Sequence, residues 1–213
     1  MIYTISPSLF KRPEYWKKNL QVLGFHERNK TKNWNPSPEL EKFIKQNSKI
    51  VFITFGSMIN QYPERNTELI IKILEKNKIS AIINTCEGGL IKPKNYTNDL
   101  IHFVENIPYD WIFSKIYAVI HHGGSGTTHM ALKNGCANLI IPHIVDQYVW
   151  NKIIYKKGAG PLGIDISKIN AINLEPKIID LLENPLYKEK AEKLSEKILK
   201  ENFRNEIYNS IIL

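Results

Sequence analysis

The chain has 213 residues, of which 43% are hydrophobic and 23% charged, and its formal net charge is +8. This composition supplies enough apolar side chains for one buried core, and it excludes a disordered chain, a collagen and a coiled-coil rod. No apolar run approaches the roughly 18 residues of a membrane-spanning helix, and the N-terminus lacks the pattern of a secretory signal. We therefore expect a cytoplasmic protein.

The charge pattern and the two cysteines exclude further classes of partner. The lysines are scattered along the chain without an arginine-rich arm or an aromatic-basic stripe, which argues against a nucleic-acid partner. Peripheral contact with an anionic membrane, or attraction of a phosphorylated ligand, stays open. Cys86 and Cys136 lie far apart and form no C-x-x-C pair, so we predict buried thiols and no metal site.

The first segment, residues 1–48, is typical of a linker between domains. Four prolines and two tryptophans interrupt it, and no long periodic stretch precedes a helix-like run at 38–46. Because a linker joins two units, we expect this chain to begin partway through a larger architecture.

Residues 49–183 alternate strands with helices. The first strand, 49–55, is a continuous β-branched and aromatic run, as expected when both faces of a parallel strand are covered. The alternation predicts an α/β protein with a Rossmann-like parallel sheet and helices on both faces. The further predicted elements are strands at 79–85, 101–104, 116–121 and 137–141, helices at 65–77, 108–113, 126–134 and 146–157, and an extended stretch at 161–164.

Residues 184–213 are predicted to form C-terminal helices. Apolar residues recur there at helical spacing, and Pro185 suits the first turn of the last long helix. The chain therefore divides into a linker-like segment at 1–48, a Rossmann-like α/β domain at 49–183 and a helical tail at 184–213.

One segment carries chemistry, the run His-His-Gly-Gly-Ser-Gly-Thr-Thr at 121–128, which leads from a predicted strand into a predicted helix. Glycines let backbone N–H groups approach oxygen atoms closely, and the start of a helix offers unpaired N–H groups and the positive end of a dipole. The hydroxyl groups of three neighbouring residues add further donors. The segment predicts an anion site, although a lone glycine turn is more often a helix start without a ligand.

A dinucleotide cofactor is the first alternative for this segment. Gly124 and Gly126 match the first two glycines of G-x-G-x-x-G, and Asp146 stands at a distance that suits a ribose-binding acid. His129, however, occupies the third glycine position, where a small residue lets helix and strand pack closely. Asp146 also follows Pro142 in a loop instead of ending the next strand, so NAD fits poorly.

The segment resembles the donor-site signature of UDP-glycosyltransferases of the GT-B fold, most closely the sterol and antibiotic glucosyltransferase type. The resemblance extends over nearly the whole chain. It rests on the 121–128 run with Gly135-Cys136-Ala137, Pro142, Asp146-Gln147, Trp150 and Gly158-Ala159-Gly160-Pro161, on Phe55-Gly56-Ser57-Met58 and Asn106 to Phe113, and on Ser6-Pro7, Gly24-Phe25 and Trp34-x-Pro36.

The resemblance implies a role for each matching residue. His122 and Ser57 would bind the donor diphosphate together with Gly124, Ser125, Gly126 and Thr127. Asp146 and Gln147 would hold hydroxyl groups of the sugar, and backbone groups near Ile107 and Pro108 would meet the uracil. Tyr109 stands where related sequences often have a histidine.

The reaction implied is transfer of a hexose, most simply from UDP-glucose, to an acceptor hydroxyl of a lipid, a sterol or a small molecule, with inversion at the anomeric carbon. The scheme needs no cofactor, and the chain has no D-x-D pair to hold a metal ion. In this family the general base belongs to an N-terminal half, so we expect a partner polypeptide or a missing domain. A nucleotide-sugar-binding protein without catalysis and a UDP-sugar 2-epimerase remain alternatives.

Overall fold

The computed structural model describes residues 1–26, 34–86 and 89–212. The main sheet has five parallel strands in the order β5-β4-β3-β6-β7, and β1 and β2 form a separate parallel pair. The strands are β1 (Ile2–Tyr3), β2 (Gln21–Val22), β3 (Val51–Thr54), β4 (Ala81–Asn84), β5 (Ile101–Val104), β6 (Ala118–His121) and β7 (Ala137–Ile140).

Helices follow the strands as the sequence predicts. The α-helices are α1 (Pro38–Gln46), α2 (Pro63–Lys76), α3 (Tyr109–Ile112), α4 (Ser125–Lys133), α5 (Val145–Lys157), α6 (Ala171–Glu183), α7 (Pro185–Leu199) and α8 (Arg204–Ile212), with 3-10 turns at Phe113–Lys115 and Ile166–Lys168. The stretch predicted as extended at 161–164 runs beside β7 without strand pairing. Gly160 and Gly163 approach this strand so closely that a Cβ on either would lie 1.6 Å from a backbone oxygen.

The sheet separates two apolar layers. Val51 and Ile53 of β3 face a cluster formed with α2 and α6, whereas Phe52 faces a second cluster formed with α1, α3 and α4. Phe52 and its two neighbours are fully buried. This alternation of buried faces confirms the predicted α/β class with helices on both sides of a parallel sheet.

The strand order fixes where a ligand can bind. The chain starts the sheet at β3 in the centre, moves outward through β4 and β5, and then returns to the other side for β6 and β7. Loops that leave β3 and β6 therefore diverge, and open α/β sheets bind ligands in the crevice at such a point. Because Thr54 pairs in register with His121, the loops beginning at Gly56 and His122 lie side by side.

Residues 1–26 of the linker-like segment pack against the domain. Leu9 is buried in a third apolar cluster with Trp150 and Ile198. Ser6 and Ser8 both donate hydroxyl hydrogen bonds to Oε1 of Glu201, over 2.7 and 2.6 Å, so the beginning and the end of the described chain meet. Residues 27–33 of the predicted linker fall outside the described ranges, and the domain boundaries stay a prediction.

Candidate functional site

A cleft of about 450 Å³ opens at the carboxyl ends of the strands. It brings together five of the residues that the sequence assigns to donor binding: Ser57, Ile107, Pro108, Gly126 and Thr127. Its other walls are formed by the loops after β4 and β5, by α4 and by the N-terminal segment, namely Phe25, His26, Gly56, Asn84, Cys86, Asn106, Tyr109, Asp110 and Met130.

A larger groove of about 840 Å³ lies between the end of α2 and one side of α6, where Lys76 and Glu175 form an ion pair of 2.8 Å. None of its lining residues belongs to the loops at the carboxyl edge of the sheet. The smaller cleft is therefore the candidate site, because it has the topological position and the glycine turns that a nucleotide needs.

The His122 ring lies between two glycine turns. A Cβ on Gly56 would be 3.1 Å from its Cε1, and a Cβ on Gly124 would be 2.5 Å from its Nε2. Burial and the neighbouring His143 together lower the pKa of His122 to about 4, against the opposing effects of Asp146 and of the Thr54 backbone. The ring is therefore neutral at pH 7 and offers one N–H donor and one lone pair. Its Nδ1 is buried and accepts no hydrogen bond from the described residues.

His121 supports the glycine turn from the end of β6. Its Nδ1 accepts the N–H of Gly123 over 3.1 Å, and its Nε2–H donates to Oδ1 of Asn138 over 3.0 Å. Burial lowers the pKa of His121 to about 3, so this tautomer is neutral and fixed. Gly123 has φ +95°, and a Cβ there would lie 2.6 Å from Ile140. Neither His121 nor Asn138 has a separate role predicted from the sequence, although two polar side chains within apolar strands were the available signal.

The start of α4 faces the cleft with its positive end. The backbone N–H and the hydroxyl of Thr128 both donate hydrogen bonds to the carbonyl oxygen of Gly124, over 3.0 and 2.9 Å. The N–H groups ahead of Thr128 precede the first intrahelical bond, and the first turn holds no acidic residue. Gly126 is exposed, and a Cβ there would meet nothing within 4 Å. The helix start therefore offers donors and a favourable dipole to an anion.

Asp146 and Gln147, the predicted sugar ligands, stand in the first turn of α5. Asp146 is exposed and close enough to His122 to influence the pKa of that ring. Gln147 is only 3% exposed, and its Oε1 accepts the N–H groups of His143 and Ile144 over 2.7 and 3.2 Å. The glutamine thus caps α5 with its amide oxygen. Sugar binding by either side chain stays a prediction.

His143 joins the loops after β3 and β7, a link that the sequence did not indicate. Its Nε2 lies 2.8 Å from Oδ1 of Asn60, and its Nδ1 lies 2.9 Å from the carbonyl oxygen of Ile141. The ring also packs edge-on against Phe55, with centroids 4.9 Å apart. Burial lowers the pKa of His143. Three histidines with lowered pKa therefore surround the glycine turn.

Tyr109 connects the segment 106–113 to the loop that follows β3. Its hydroxyl lies 2.9 Å from Oγ1 of Thr54, and this same oxygen accepts the N–H of Gly56 over 3.1 Å. Burial raises the pKa of Tyr109 to about 12. The buried Ile107 and Pro108 come directly before Tyr109. The hydrogen bond between Tyr109 and Thr54 therefore holds the predicted base-binding segment at a fixed distance from the loop after β3.

The cysteines differ in environment. Cys136 is fully buried, and burial raises the pKa of its thiol to about 12. Cys86 is only partly buried and lines the cleft, which corrects the prediction of two buried thiols. Among the described residues no group of three or more His, Cys, Asp or Glu side chains is arranged to hold a metal ion. Within the same ranges no helix has the length and apolar character needed to cross a bilayer.

Comparison with known sequences finds a matching family model and named relatives. A family model described as "Erythromycin biosynthesis protein CIII-like, C-terminal domain" matches residues 80–213. Sterol 3-beta-glucosyltransferase UGT80A2 of Arabidopsis thaliana is 35% identical over 194 residues, which are 91% of this chain and 30% of the relative. Sterol 3-beta-glucosyltransferase of Vanderwaltozyma polyspora is 31% identical over 212 residues, covering 94% of this chain and 17% of the relative. The chain thus spans less than a third of their length.

Solved structures show the same architecture. Spinosyn Forosaminyltransferase SpnP superposes with a TM-score of 0.74 at 19% identity, over 99% of this chain and 53% of that one. The glycosyltransferase SnogD from Streptomyces nogalater superposes with a TM-score of 0.73 at 18% identity, over 99% of this chain and 55% of that one. The likeness confirms the predicted fold, one α/β half of a two-domain architecture.

Proposed function

Since the chain belongs to the family of glycosyltransferase domains described as erythromycin biosynthesis protein CIII-like, C-terminal, we propose that it binds a UDP-sugar in the cleft between the loops of β3 and β6. The observation that carries this proposal is the neutral His122 ring, held between Gly56 and Gly124 beside the open first turn of α4. Diphosphate oxygens accept hydrogen bonds, and this arrangement concentrates donors without a fixed positive side chain.

The proposed reaction is inverting hexosyl transfer. The acceptor oxygen attacks the anomeric carbon, the bond from this carbon to the diphosphate oxygen breaks, and its electron pair stays on UDP. The acceptor proton passes to a base outside the described site. Charge therefore grows on the diphosphate, where the N–H groups of Gly126 and Thr127 and the His122 ring would stabilise it. Preorganised donors stabilise a transition state most strongly where charge develops. These hydrogen-bond donors would therefore raise the rate of transfer as well as the affinity for the donor.

The names of two relatives support a proposal for the donor and the acceptor. The two curated relatives are named sterol 3-beta-glucosyltransferases, so we propose UDP-glucose as donor and the hydroxyl of a sterol or related lipid as acceptor. Such an acceptor suits a protein in the cytoplasm with peripheral membrane contact. The proposed transfer reaction needs neither a cofactor nor a metal ion.

A second half would complete this site. The chain spans about half of the solved transferases that share its fold, and several large apolar side chains are exposed near the carboxyl edge of its sheet. Ile59 is 83% exposed, Val145 86% and Val149 53%. Exposed apolar groups of this size are common at protein interfaces. We propose that an acceptor-binding half, which also supplies the general base, covers them.

Two other functions use the same cleft. A nucleotide-sugar-binding protein without catalysis would bind UDP-glucose equally well but would transfer nothing when an acceptor half is supplied. A 2-epimerase would convert its UDP-sugar without any acceptor. We place the transferase first because the Asp146-Gln147 pair matches the transferase signature.

Calorimetry with UDP and UDP-glucose tests donor binding directly. We expect a Kd in the millimolar range or better for the wild-type chain and a loss of about tenfold or more in His122→Ala, because charge-assisted hydrogen bonds contribute about 1.5–3 kcal/mol. His102→Ala, on β5 and outside the residues that line the cleft, is the matched control and keeps the wild-type affinity. A wild-type chain that binds neither ligand would refute the proposed function.

A further inference from the structure

One aromatic ring in the cleft has no part in the predicted donor site. Phe25 lines the cleft together with Ile107, Pro108, Thr127 and Met130, although it comes from the N-terminal segment. Thr127 and Met130 stand three residues apart on α4, so Phe25 lies along the first two turns of this helix. A nucleoside whose diphosphate sits at the helix start would extend into this part of the cleft.

One face of the Phe25 ring is covered. It stacks on the imidazole of His129, with ring centroids 4.8 Å apart and an angle of 21° between the planes. Phe25 is half-buried and still contributes to the wall of the cleft. With one face against His129, the ring can present only its other face to a ligand there.

His129 is itself held on every side. Its Nδ1–H donates to the carbonyl oxygen of Ser125 over 2.7 Å, and its Nε2 accepts the N–H of Ser6 over 3.1 Å. Trp150 packs against the ring edge-on, with centroids 5.0 Å apart. Burial lowers the pKa of His129, and these two hydrogen bonds require its neutral tautomer. The support behind Phe25 is therefore a rigid, uncharged ring.

The backbone that carries Phe25 is also fixed. Gly24 has φ +73°, which an L-residue rarely adopts. A Cβ on Gly24 would lie 2.6 Å from Cδ2 of Phe203, so the chain just before α8 packs directly against this turn. The direction in which Phe25 leaves the turn is thus set by packing from both ends of the chain.

We propose that Phe25 is the platform on which the uracil ring of the donor stacks, and that His129 is the positioning residue that holds this platform. The inference rests on the proposed binding of a UDP-sugar and adds the residue that selects a flat base. An aromatic face stabilises a stacked base without reading its edge, while the backbone near Ile107 and Pro108 remains available for hydrogen bonds to that edge. This role also explains why a histidine, His129, stands where the dinucleotide-binding motif has its third glycine.

Calorimetry with two probes tests the platform, using UDP, which carries the base, and inorganic pyrophosphate, which lacks it. We expect Phe25→Ala to bind UDP about tenfold more weakly than the wild type, the loss typical of one stacked base, and to bind pyrophosphate unchanged. Phe25→Leu, which keeps the apolar bulk, should show the same selective loss if the alanine variant folds poorly. Phe10→Ala, which removes a ring packed at a tilt against Trp16 elsewhere in the N-terminal segment, is the control.

Fluorescence supplies a signal that a purely structural role would not produce. Phe25→Trp should keep the affinity for UDP, and UDP but not pyrophosphate should quench its added emission. His129→Ala should lower the ratio of UDP to pyrophosphate affinity, and the double variant with Phe25→Ala should lower this ratio no further, because both changes remove one platform.

The outcomes separate the two proposals. Equal losses for UDP and pyrophosphate in Phe25→Ala, or an unchanged UDP affinity in Phe25→Leu, would overturn the stacking platform and leave the donor site standing. A wild-type chain that binds pyrophosphate and not UDP would overturn the platform as well. A wild-type chain that binds neither probe would overturn the proposed function itself.

Discussion

A Cβ atom on Gly124 would lie only 2.5 Å from Nε2 of His122, yet the backbone of Gly124 has φ −60° and ψ 140°, which any residue adopts. The neighbouring ring, and not the conformation of the chain, therefore requires glycine at this position. Gly123, with φ +95°, is required by its conformation as well as by its contact with Ile140. Two adjacent glycines thus serve different physical purposes.

A double-mutant cycle tests the contact of Gly124 with His122. We expect Gly124→Ala to destabilise the wild-type chain by about 1–3 kcal/mol through overpacking, and to cost less than about 0.5 kcal/mol in the His122→Ala background, where the ring is absent. Urea unfolding of the four proteins gives the coupling free energy. Equal costs in the two backgrounds would show that something other than the ring excludes a side chain.

Gly126→Ala should separate stability from binding. Gly126 lies in the first turn of α4, and an added Cβ would meet no atom within 4 Å. Alanine is the better helix former by about 0.5–1 kcal/mol, so we expect the variant to unfold at higher urea concentration. The same methyl group would project into the cleft, so calorimetry should show weaker binding of UDP. Unchanged affinity would place the diphosphate away from the start of this helix.

Acid should destabilise the fold through its buried histidines. Burial lowers the pKa of His121 to about 3 in the folded chain, from an ordinary value of 6.5. Between these pH values the unfolded chain binds more protons, so stability is complete above about pH 6.5 and is lost as the pH falls toward 3. One such histidine contributes up to about 1.4 kcal/mol per pH unit.

Unfolding free energies measured at about pH 7.5 and 5.5 check this expectation. His121→Asn, whose amide oxygen can accept the N–H of Gly123, should be less stable at the higher pH and should lose less stability between the two. The exposed His26→Gln should follow the wild type. A slope that is identical in wild type and His121→Asn would argue against a neutral, buried His121.

The two predicted sugar ligands should respond differently to substitution. Asp146→Ala should weaken the binding of UDP-glucose and leave that of UDP unchanged, because the carboxylate is proposed to hold a hydroxyl of the sugar, which UDP lacks. Gln147→Ala should lower the stability by about 0.5–2 kcal/mol, because the N–H groups of His143 and Ile144 lose their capping oxygen. Gln147→Glu keeps an acceptor for both groups and should restore stability. If Asp146→Ala weakens UDP as strongly as UDP-glucose, the sugar assignment is wrong.

The sequence predicts much of this architecture because its signals are local. The apolar run at 51–54 and the glycine run at 123–126 identify a central strand and a helix start without any long-range information. Four of the five strands of the main sheet are shorter than predicted, and three of them begin two residues later than predicted, whereas β5 has its predicted range. The resemblance to a known family then gave residue roles that composition and spacing alone left open.

Contacts between distant segments could not be predicted in this way. The hydrogen bond from Ser6 to His129 spans 123 positions, and the contact of Asn60 with His143 spans 83. Neither has a spacing that a sequence pattern can report. The structure also places the amide oxygen of Gln147 at the start of α5, while its role in sugar binding stays a prediction.

The bonds that converge on Glu201 have a consequence for how the molecule opens. Its Oε1 accepts from Ser6 and Ser8, and farther along Ser210 donates to Gln21 over 2.9 Å. Breaking one group of these contacts exposes the other, so residues 1–26 and 198–212 should unfold as a single cooperative unit. In hydrogen exchange their slowest amides would share one opening rate, and a ligand that stacks on Phe25 would slow all of them together.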